Sequence, residues 1–358
     1  MNRIEIALGQ RSYPVLVGAS LLHQPSHWLP LIPEVPLVIF TNERVAPLYL
    51  DTLVSALGGR QLHTFILPDG EAEKSFDNYQ RALEFLAQKG IRRDACLLAL
   101  GGGVIGDLCG FVAASWMRGI RFIQFPTTLL AQVDASVGGK TAINLPAGKN
   151  LVGAFHQPSL VVADVSTLTT LDEREYRAGL AEVLKYGAIR DPELIGLMEQ
   201  QVTALNRRDA ALLIDLVSRS VEHKASVVAD DEREAGIRAT LNFGHSFGHA
   251  IEALTDYTRY LHGEAVAIGM VAASHLSEQR GLCTPGTAAR LAKLLQQLDL
   301  PVTIPADLST DHLLERMGLD KKNVTGTRRL ILLEALGQAC IDSDSRDEQI
   351  RRAIDHTR

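Results

Sequence analysis

Residues 95–107 have the sequence ACLLALGGGVIGD, in which an apolar run ends at three consecutive glycines. The run from Ala95 to Leu100 is typical of a strand buried on both faces of a sheet, and the following residues predict a helix. Gly101, Gly103 and Gly106 satisfy G-x-G-x-x-G, a pattern that lets backbone N–H groups at a helix N-terminus approach a pyrophosphate. Taken alone, the pattern is about as common in a strand-to-helix turn that binds no ligand as in a loop that binds a dinucleotide. The stretch predicts an α/β fold and leaves dinucleotide binding open.

Strand and helix patterns alternate along the first 170 residues. Strands separated by helices of this length predict parallel crossovers and an open, Rossmann-like α/β sheet. The other predicted strands are Arg3 to Leu8, Tyr13 to Gly18, Leu37 to Phe40, Leu62 to Leu67, Phe122 to Phe125 and Leu160 to Ala163, with helices ending near Leu57 and spanning Phe76 to Lys89.

The pattern becomes mainly helical after residue 170. We therefore predict an α/β domain at 1–170 and a mainly helical domain at 171–358. A β-hairpin is predicted at Arg328 to Ile341. The predicted helices are Arg174 to Ala188, Pro192 to Leu205, Ala210 to Val228, Phe243 to Leu254 and Ala265 to Arg280.

Composition excludes several classes of protein. The chain has 358 residues, 46% of them hydrophobic, and a net charge of -6, which argues against a nucleic-acid partner. The longest apolar stretch, Ala95 to Trp116, contains Asp107 and five glycines, so no membrane span is expected. The N-terminus has no signal-peptide pattern, and the four scattered cysteines predict reduced thiols in a cytoplasmic protein.

The glycine motif has an unusual position for a dinucleotide-binding domain. It follows roughly the fourth or fifth predicted strand, and Thr127-Thr128 stands where an acidic residue would contact the ribose. Ribose contacts should therefore come from elsewhere, and Asp69-Gly70-Glu71 at the end of an earlier strand is a candidate.

Three histidines suggest a metal site. His245 and His249 are four residues apart and share one face of a predicted helix, and His262 follows thirteen residues later. With Glu182 they could form an open catalytic zinc site with three protein ligands. A lone histidine more often satisfies hydrogen bonds in a core, but three within eighteen residues favour a metal. The i,i+4 pair is the simplest choice of ligands, and spacing alone leaves the ligand set open.

Five cations accompany these motifs. Each alone would normally be a solvated surface charge. Beside a metal site, they indicate a substrate that carries both a phosphate and a carboxylate. These residues are Lys140, Lys149, Lys185, Lys224 and Arg238.

At these motifs the sequence resembles the 3-dehydroquinate synthase family of sugar-phosphate cyclases. The resemblance runs along nearly the whole chain, and the one departure we notice is Trp116, where a tyrosine is expected. The matching segments are 68–71, 101–107, 117–119, 126–134, 138–144, 148–151, 181–185, 242–252, 262–270 and 320–322.

The resemblance implies a cyclising lyase of the shikimate pathway. It would convert 3-deoxy-D-arabino-heptulosonate 7-phosphate to 3-dehydroquinate and phosphate by transient NAD oxidation, phosphate elimination, re-reduction and intramolecular aldol closure. The implied cofactors are NAD and Zn²⁺, with Co²⁺ as a substitute. The implied assembly is a homodimer in the cytoplasm.

The family pattern implies that the domain at 1–170 binds NAD and that the domain at 171–358 binds the metal and the substrate. It also implies roles for individual residues. It places zinc on Glu182, His245 and His262, and leaves His249 on the substrate side. The implied NAD contacts are Asn42, Asp69, Gly70, Glu71, Lys74, Gly103, Val104, Ile105, Gly106, Asp107, Thr127, Thr128, Lys140, Lys149, Thr167, Leu168, Thr169 and Thr170. The implied substrate contacts are Asp134, Lys140, Asn150, Lys185, Lys224, Arg238, Asn242, His249 and Lys321 (or its neighbour Lys322), with Arg118 contributed across the dimer interface.

Three alternatives remain at this point. An inosose synthase acting on glucose 6-phosphate would share the fold and metal but would not need Arg238 with Asn242 for a substrate carboxylate. A metal-dependent polyol dehydrogenase would release NADH. A non-catalytic nucleotide-binding descendant would lack the metal.

Overall fold

Residues 1–234, 236–318 and 329–358 are described by the structure, a computed structural model. They form two compact units. Unit 1 comprises Met1–Leu171 and Ala210–Arg233, and unit 2 comprises Asp172–Asp209 and Glu234–Arg358. We had expected residues 210–233 in the second domain, whereas the structure groups them with the first unit. The predicted substrate contact Lys321 lies outside the described residues.

A seven-stranded sheet runs through unit 1 in the order β1-β2-β9-β6-β5-β3-β4. All neighbouring pairs are parallel except β1 with β2, which form an antiparallel edge. The strands are β1 Asn2–Ile6, β2 Tyr13–Gly18, β3 Leu37–Asn42, β4 Leu62–Leu67, β5 Cys96–Gly101, β6 Arg121–Pro126 and β9 Val161–Asp164; the separate hairpin consists of β7 Lys140–Leu145 and β8 Gly148–Phe155.

The central strand β5 is buried on both faces, as its apolar sequence predicts. Leu97 and Ala99 pack into one core cluster, and Leu98 and Leu100 pack into the cluster on the opposite face. This alternation follows from the two-residue period of a strand. The helices of unit 1 are α1 Asp51–Ala56, α2 Phe76–Gln88, α3 Gly103–Ser115 and α7 Ala210–Asp230.

Strands β7 and β8 are absent from the strands that the sequence predicts. Their pairing is antiparallel and irregular between Ile143 and Leu145. Much of β8 is exposed. Apolar side chains such as Leu151 and Phe155 are exposed, and glycines interrupt the strand, so β8 gives little of the regular apolar–polar alternation by which a strand is recognised in sequence.

Helix α9 is central to unit 2 and is buried along most of its length. It packs against α4, α8, α10, α12 and β10. The segment predicted as one helix from Pro192 to Leu205 forms two, α5 and α6. The elements are α4 Glu173–Arg190, α5 Pro192–Gln200, α6 Val202–Asn206, α8 His245–Leu254, α9 His262–Gln279, α10 Thr287–Gln297, α11 Thr310–Gly318, α12 Asp347–His356, β10 Leu330–Ala335 and β11 Gln338–Asp342.

Within the described ranges, no helix has both the length and the apolar character needed to cross a bilayer.

Candidate active site

Glycines let three helices of unit 2 approach closely. A Cβ on Gly263 in α9 would collide with the carbonyl oxygen of Ala178 in α4. A Cβ on Gly269 would likewise collide with the carbonyl oxygen of Gly244, which precedes α8. Helix α9 can therefore pack closely against both α4 and α8. This arrangement brings together the ends of α8 and α9 that carry the predicted metal ligands.

Glu182, His245 and His262 form a compact group at this crossing. One ligand atom of each lies within 4.8 Å of the others. His245 Nε2 lies 3.7 Å from Glu182 Oε1, and His262 Nε2 lies 3.6 Å from the same oxygen. Glu182 is fully buried, and its carboxylate forms an ion pair with Lys185 one turn along α4. Both imidazoles therefore direct the same ring nitrogen at one buried carboxylate.

This group fits a divalent metal. Ligand atoms of a tetrahedral zinc site lie about 2.0–2.2 Å from the ion when they are nitrogen or oxygen, so they lie roughly 3.3 Å from one another. The observed separations of 3.6 and 3.7 Å are close to that spacing. Neither carboxylate oxygen of Glu182 has a donor in hydrogen-bond geometry among the described residues. Lys185 offsets part of the charge of this buried carboxylate on the Oε2 side, and a metal ion held with His245 and His262 would offset it on the Oε1 side.

Further positive charge lies in the same unit. Lys185 is 1% exposed and its Nζ lies 4.9 Å from the centroid of the Tyr186 ring. Arg238, also 1% exposed, belongs to a short turn at Ile237–Asn242. Asn242 in the same turn donates to Glu234 and to the Ala239 carbonyl. Two buried cations in the unit that holds the metal group suit an anionic ligand.

The glycine loop of unit 1 lies at the carboxyl edge of its sheet. Helix α3 begins at Gly103, directly after β5, and Thr127 N donates to the carbonyl of Gly101. A Cβ on Gly102 would lie 2.9 Å from the Thr128 methyl group. The loop therefore presents backbone at a helix N-terminus, with the two threonines predicted to contact NAD beside it.

Lys74 and Asp107 form a buried ion pair in this unit. The Lys74 side chain is 5% exposed, and Asp107 lies in the first turns of α3. Burial raises the pKa of Asp107, and the Lys74 ammonium opposes that rise. Lys74 thereby neutralises a carboxylate in the first turns of α3, so that the helix dipole and the backbone N–H groups can attract a phosphate there.

Hydrogen bonds connect other predicted NAD contacts of unit 1. Asn42 donates to Asp69 at 2.6 Å. Asn144 bridges two segments, because its side-chain amide donates to Glu71 and its oxygen accepts from the backbone N–H of Asn150. Asp69 and Glu71 are thus positioned near the ends of β3 and β7.

Lys224 on α7 contacts Asp134 twice. Its ammonium donates to the Asp134 carbonyl at 2.7 Å and forms an ion pair with the carboxylate. Both residues were predicted to contact substrate, and they share unit 1. Lys140 and Asn150 are exposed on the β7–β8 hairpin, and Lys149 is half-buried.

Arg118 is exposed in a backbone conformation that side chains rarely adopt. Met117 and Arg118 have φ values of 51° and 66°, and Gly119 follows at 116°. Each left-handed non-glycine residue costs on the order of 1–2 kcal/mol. Strain of this kind clusters at functional positions, which is consistent with the predicted role of Arg118.

The sequence assigned no role to three groups that support the predicted NAD and metal sites. Gln132 is fully buried and donates to the carbonyls of Pro126 and Asp164 and to the Thr167 hydroxyl, so it positions the predicted NAD segment at 167–170. Glu252 and the Phe243 carbonyl each accept a hydrogen bond from a predicted metal ligand. The only sequence signal for Glu252 was its position seven residues after His245, on the same face of α8.

Family models described as 3-dehydroquinate synthase N-terminal and 3-dehydroquinate synthase C-terminal match residues 64–178 and 179–323. The chain belongs to the 3-dehydroquinate synthase family. A relative named 3-dehydroquinate synthase from Methylococcus capsulatus is 50% identical over 341 residues, which is 95% of both chains. The resemblance inferred from the motifs is thus confirmed.

Solved structures also resemble this member of the 3-dehydroquinate synthase family. A 2-epi-5-epi-valiolone synthase from Streptomyces hygroscopicus, with NAD⁺ and Zn²⁺ bound, has a TM-score of 0.89, 30% identity and 98% coverage of both chains. A 2-deoxy-scyllo-inosose synthase complexed with carbaglucose-6-phosphate, NAD⁺ and Co²⁺ has a TM-score of 0.88, 25% identity and full coverage of both chains. The predicted fold class, an α/β domain followed by a mainly helical one, is confirmed.

Proposed function

We propose that this chain converts 3-deoxy-D-arabino-heptulosonate 7-phosphate to 3-dehydroquinate and phosphate. The observation that carries the proposal is the buried carboxylate of Glu182, towards which His245 and His262 both direct Nε2. Relatives named for this reaction match nearly the full chain at 46–50% identity. They include the Azotobacter vinelandii protein, at 48% identity.

The resident cofactors in this proposal are NAD and a divalent metal, Zn²⁺ with Co²⁺ as a substitute. Bound NAD would accept and return a hydride, and the metal would stabilise negative charge on a substrate oxygen. We assign the metal to Glu182, His245 and His262, and the pyrophosphate of NAD to residues 103–107 in the first turns of α3. The remaining NAD contacts are assigned as the family pattern implies.

The chain's own residues would bind the two anionic ends of the substrate. Lys185 and Arg238 are buried cations, and a charge that is already desolvated binds an anion more strongly than a surface charge does. Lys224 is pre-oriented by Asp134 in unit 1. Fixing both anionic ends would restrict the motion of the reacting carbons between them and lower the entropic part of the barrier.

His249 has a different role in this proposal. Its ring centroid lies 5.5 Å from that of His245 and 5.9 Å from that of His262. Among the described residues, His249 and Glu182 do not belong to the same group of possible metal ligands. We assign His249 to a hydrogen bond with a substrate hydroxyl, where it can hold or pass a proton.

The decisive experiment compares substrates. Purified protein supplied with Zn²⁺ and catalytic NAD should release phosphate and form dehydroquinate from the heptulosonate phosphate, with no net accumulation of NADH. Phosphate release from glucose 6-phosphate instead would indicate an inosose synthase, and stoichiometric NADH from simple alcohols would indicate a dehydrogenase. Either result would overturn the proposal. The homodimer, with Arg118 at its interface, and the cytoplasmic location stay predictions.

A further inference from the structure

A buried carboxylate that no role yet explains lies against one of the assigned metal ligands. Glu252, at the C-terminal end of α8, is 2% exposed. Its Oε2 lies 3.1 Å from Nδ1 of His262, the first residue of α9. His262 therefore lies between two carboxylates, with Glu252 on its Nδ1 side and Glu182 on its Nε2 side.

The two imidazoles of the metal group are oriented in the same way. His245 donates from Nδ1 to the Phe243 carbonyl at 3.1 Å and directs Nε2 at Glu182. Because a carbonyl or carboxylate oxygen can only accept, each ring must carry its proton on Nδ1. Each Nε2 then carries a lone pair that points towards the Glu182 carboxylate. A metal ion held between the three side chains would accept both lone pairs and neutralise that carboxylate. The difference is that His245 has a neutral acceptor, whereas His262 has a charged one.

We propose that Glu252 is a positioning residue for the metal centre, acting through His262. The proposal rests on the function proposed above, because it assumes that a metal occupies the group of Glu182, His245 and His262. A carboxylate on Nδ1 fixes the tautomer and the ring orientation, and it makes Nε2 a stronger donor to a metal. His262 needs this support more than His245, since its side chain is 30% exposed and that of His245 is 8% exposed.

A competing geometry involves the same carboxylate. Ligand atoms of His249, Glu252 and His262 also lie within 4.8 Å of one another, so Glu252 could itself be a ligand. Two features favour the positioning role. Glu182 has both imidazole Nε2 atoms directed at it, and Glu252 already occupies the Nδ1 position of His262.

The test measures metal binding directly. Apoprotein is titrated with Zn²⁺ against a chromophoric chelator, and with Co²⁺ while the visible d–d spectrum is recorded. We expect Glu252→Ala to weaken Zn²⁺ binding by about 10–100-fold and to alter the Co²⁺ spectrum. Glu252→Gln keeps an acceptor for Nδ1, so it should lose less affinity. Glu278→Gln is the matched control: Glu278 lies at the other end of α9, accepts from Ala288 N and should leave both readouts unchanged.

A double-mutant cycle separates the alternatives. If Glu252 acts through His262, then Glu252→Ala should add almost nothing to the loss caused by His262→Ala. A full additional loss would overturn the proposal, because it would make Glu252 an independent ligand. Unchanged zinc affinity and Co²⁺ spectrum in Glu252→Gln and Glu252→Ala would also overturn it. Wild-type protein that binds no metal would refute the proposed function instead.

Discussion

His262 Nε2 lies 3.6 Å from Glu182 Oε1, although the two residues belong to different helices. If this oxygen and nitrogen share a metal, then Glu182→Gln should remove the anionic ligand while nearly preserving side-chain volume. We expect zinc content after dialysis to fall to background and kcat/KM to fall more than about 100-fold, since removing even a partner of a ligand can cost that much. Elemental analysis and phosphate-release kinetics measure both quantities.

The control for Glu182→Gln is Glu193→Gln, which changes an exposed carboxylate on the neighbouring helix α5. It should retain full zinc content and activity. Stoichiometric zinc and normal turnover in Glu182→Gln would contradict the ligand assignment.

Lys224→Met tests the cation on α7. The methionine keeps most of the side-chain length but loses the charge that contacts Asp134. A hydrogen bond to a charged group contributes about 1.5–3 kcal/mol, so we expect kcat/KM for the sugar phosphate to fall roughly 10–100-fold. Arg219→Met, on the same helix and paired with Asp215, should change kcat/KM by less than about twofold. Equal effects of the two substitutions would argue against a substrate role for Lys224.

Lys74→Met tests the dinucleotide loop. Lys74 opposes the burial-driven rise in the pKa of Asp107 more strongly than Lys224 does. Its removal should therefore raise that pKa further and leave the Asp107 carboxylate in α3 without the Lys74 ion pair. We expect the Kd for NAD to rise about tenfold or more by calorimetry. Lys89→Met at the C-terminal end of α2 is the control. An unchanged Kd would remove Lys74 from the NAD contacts.

Strand positions were largely predictable where the chain is buried. The boundaries predicted for Tyr13 to Gly18 match β2, because this strand is almost wholly buried and therefore has a nearly continuous apolar sequence. The hairpin β7–β8 was missed because polar residues and glycines divide its apolar residues into short runs. Helix α7 was predicted as a helix, but amphipathic spacing does not reveal which core the apolar face will join.

The metal group shows the same limit. Spacing along one helix favours His245 with His249, because it reports only neighbours on that helix. The structure instead directs His245 and His262 at Glu182, which requires the crossing of α4, α8 and α9. The family pattern supplied that long-range information. The position of Glu252 against His262 could not be read from any spacing rule.

His156 should make the stability of the protein depend on pH. Burial lowers its pKa below the usual 6.5, although the hydrogen bond to the Ile120 carbonyl opposes this. Between the two pKa values the unfolded chain binds more protons than the folded one. Stability is therefore fully present above about pH 6.5, falls as the pH drops, and stops falling below the folded pKa.

His156→Gln keeps an N–H donor for Ile120 but cannot titrate. We expect its melting temperature to fall less than that of the wild type between about pH 7.5 and pH 5.5. His23→Gln, at an exposed position, should retain the wild-type slope. A slope unchanged by His156→Gln would show that other groups dominate acid sensitivity.

Gly263→Ala tests whether close helix packing positions the metal ligand. The added methyl group would collide with the Ala178 carbonyl, a backbone atom of α4 that cannot rotate away. Helix α9 must then shift, together with His262 at its first position. Overpacking of this kind typically costs about 1–3 kcal/mol, so the melting temperature of the apoprotein should fall and zinc affinity should fall with it.

Gly196→Ala on α5 is the matched control, because a Cβ there meets nothing within 4 Å. Alanine within a helix is favoured over glycine by roughly 0.5–1 kcal/mol, so this variant should melt slightly higher and bind zinc as the wild type does. If Gly263→Ala loses stability but keeps full zinc affinity, then the position of His262 does not depend on this packing. If Gly263→Ala loses neither stability nor zinc affinity, then α4 and α9 lie farther apart in solution than they do in the structure.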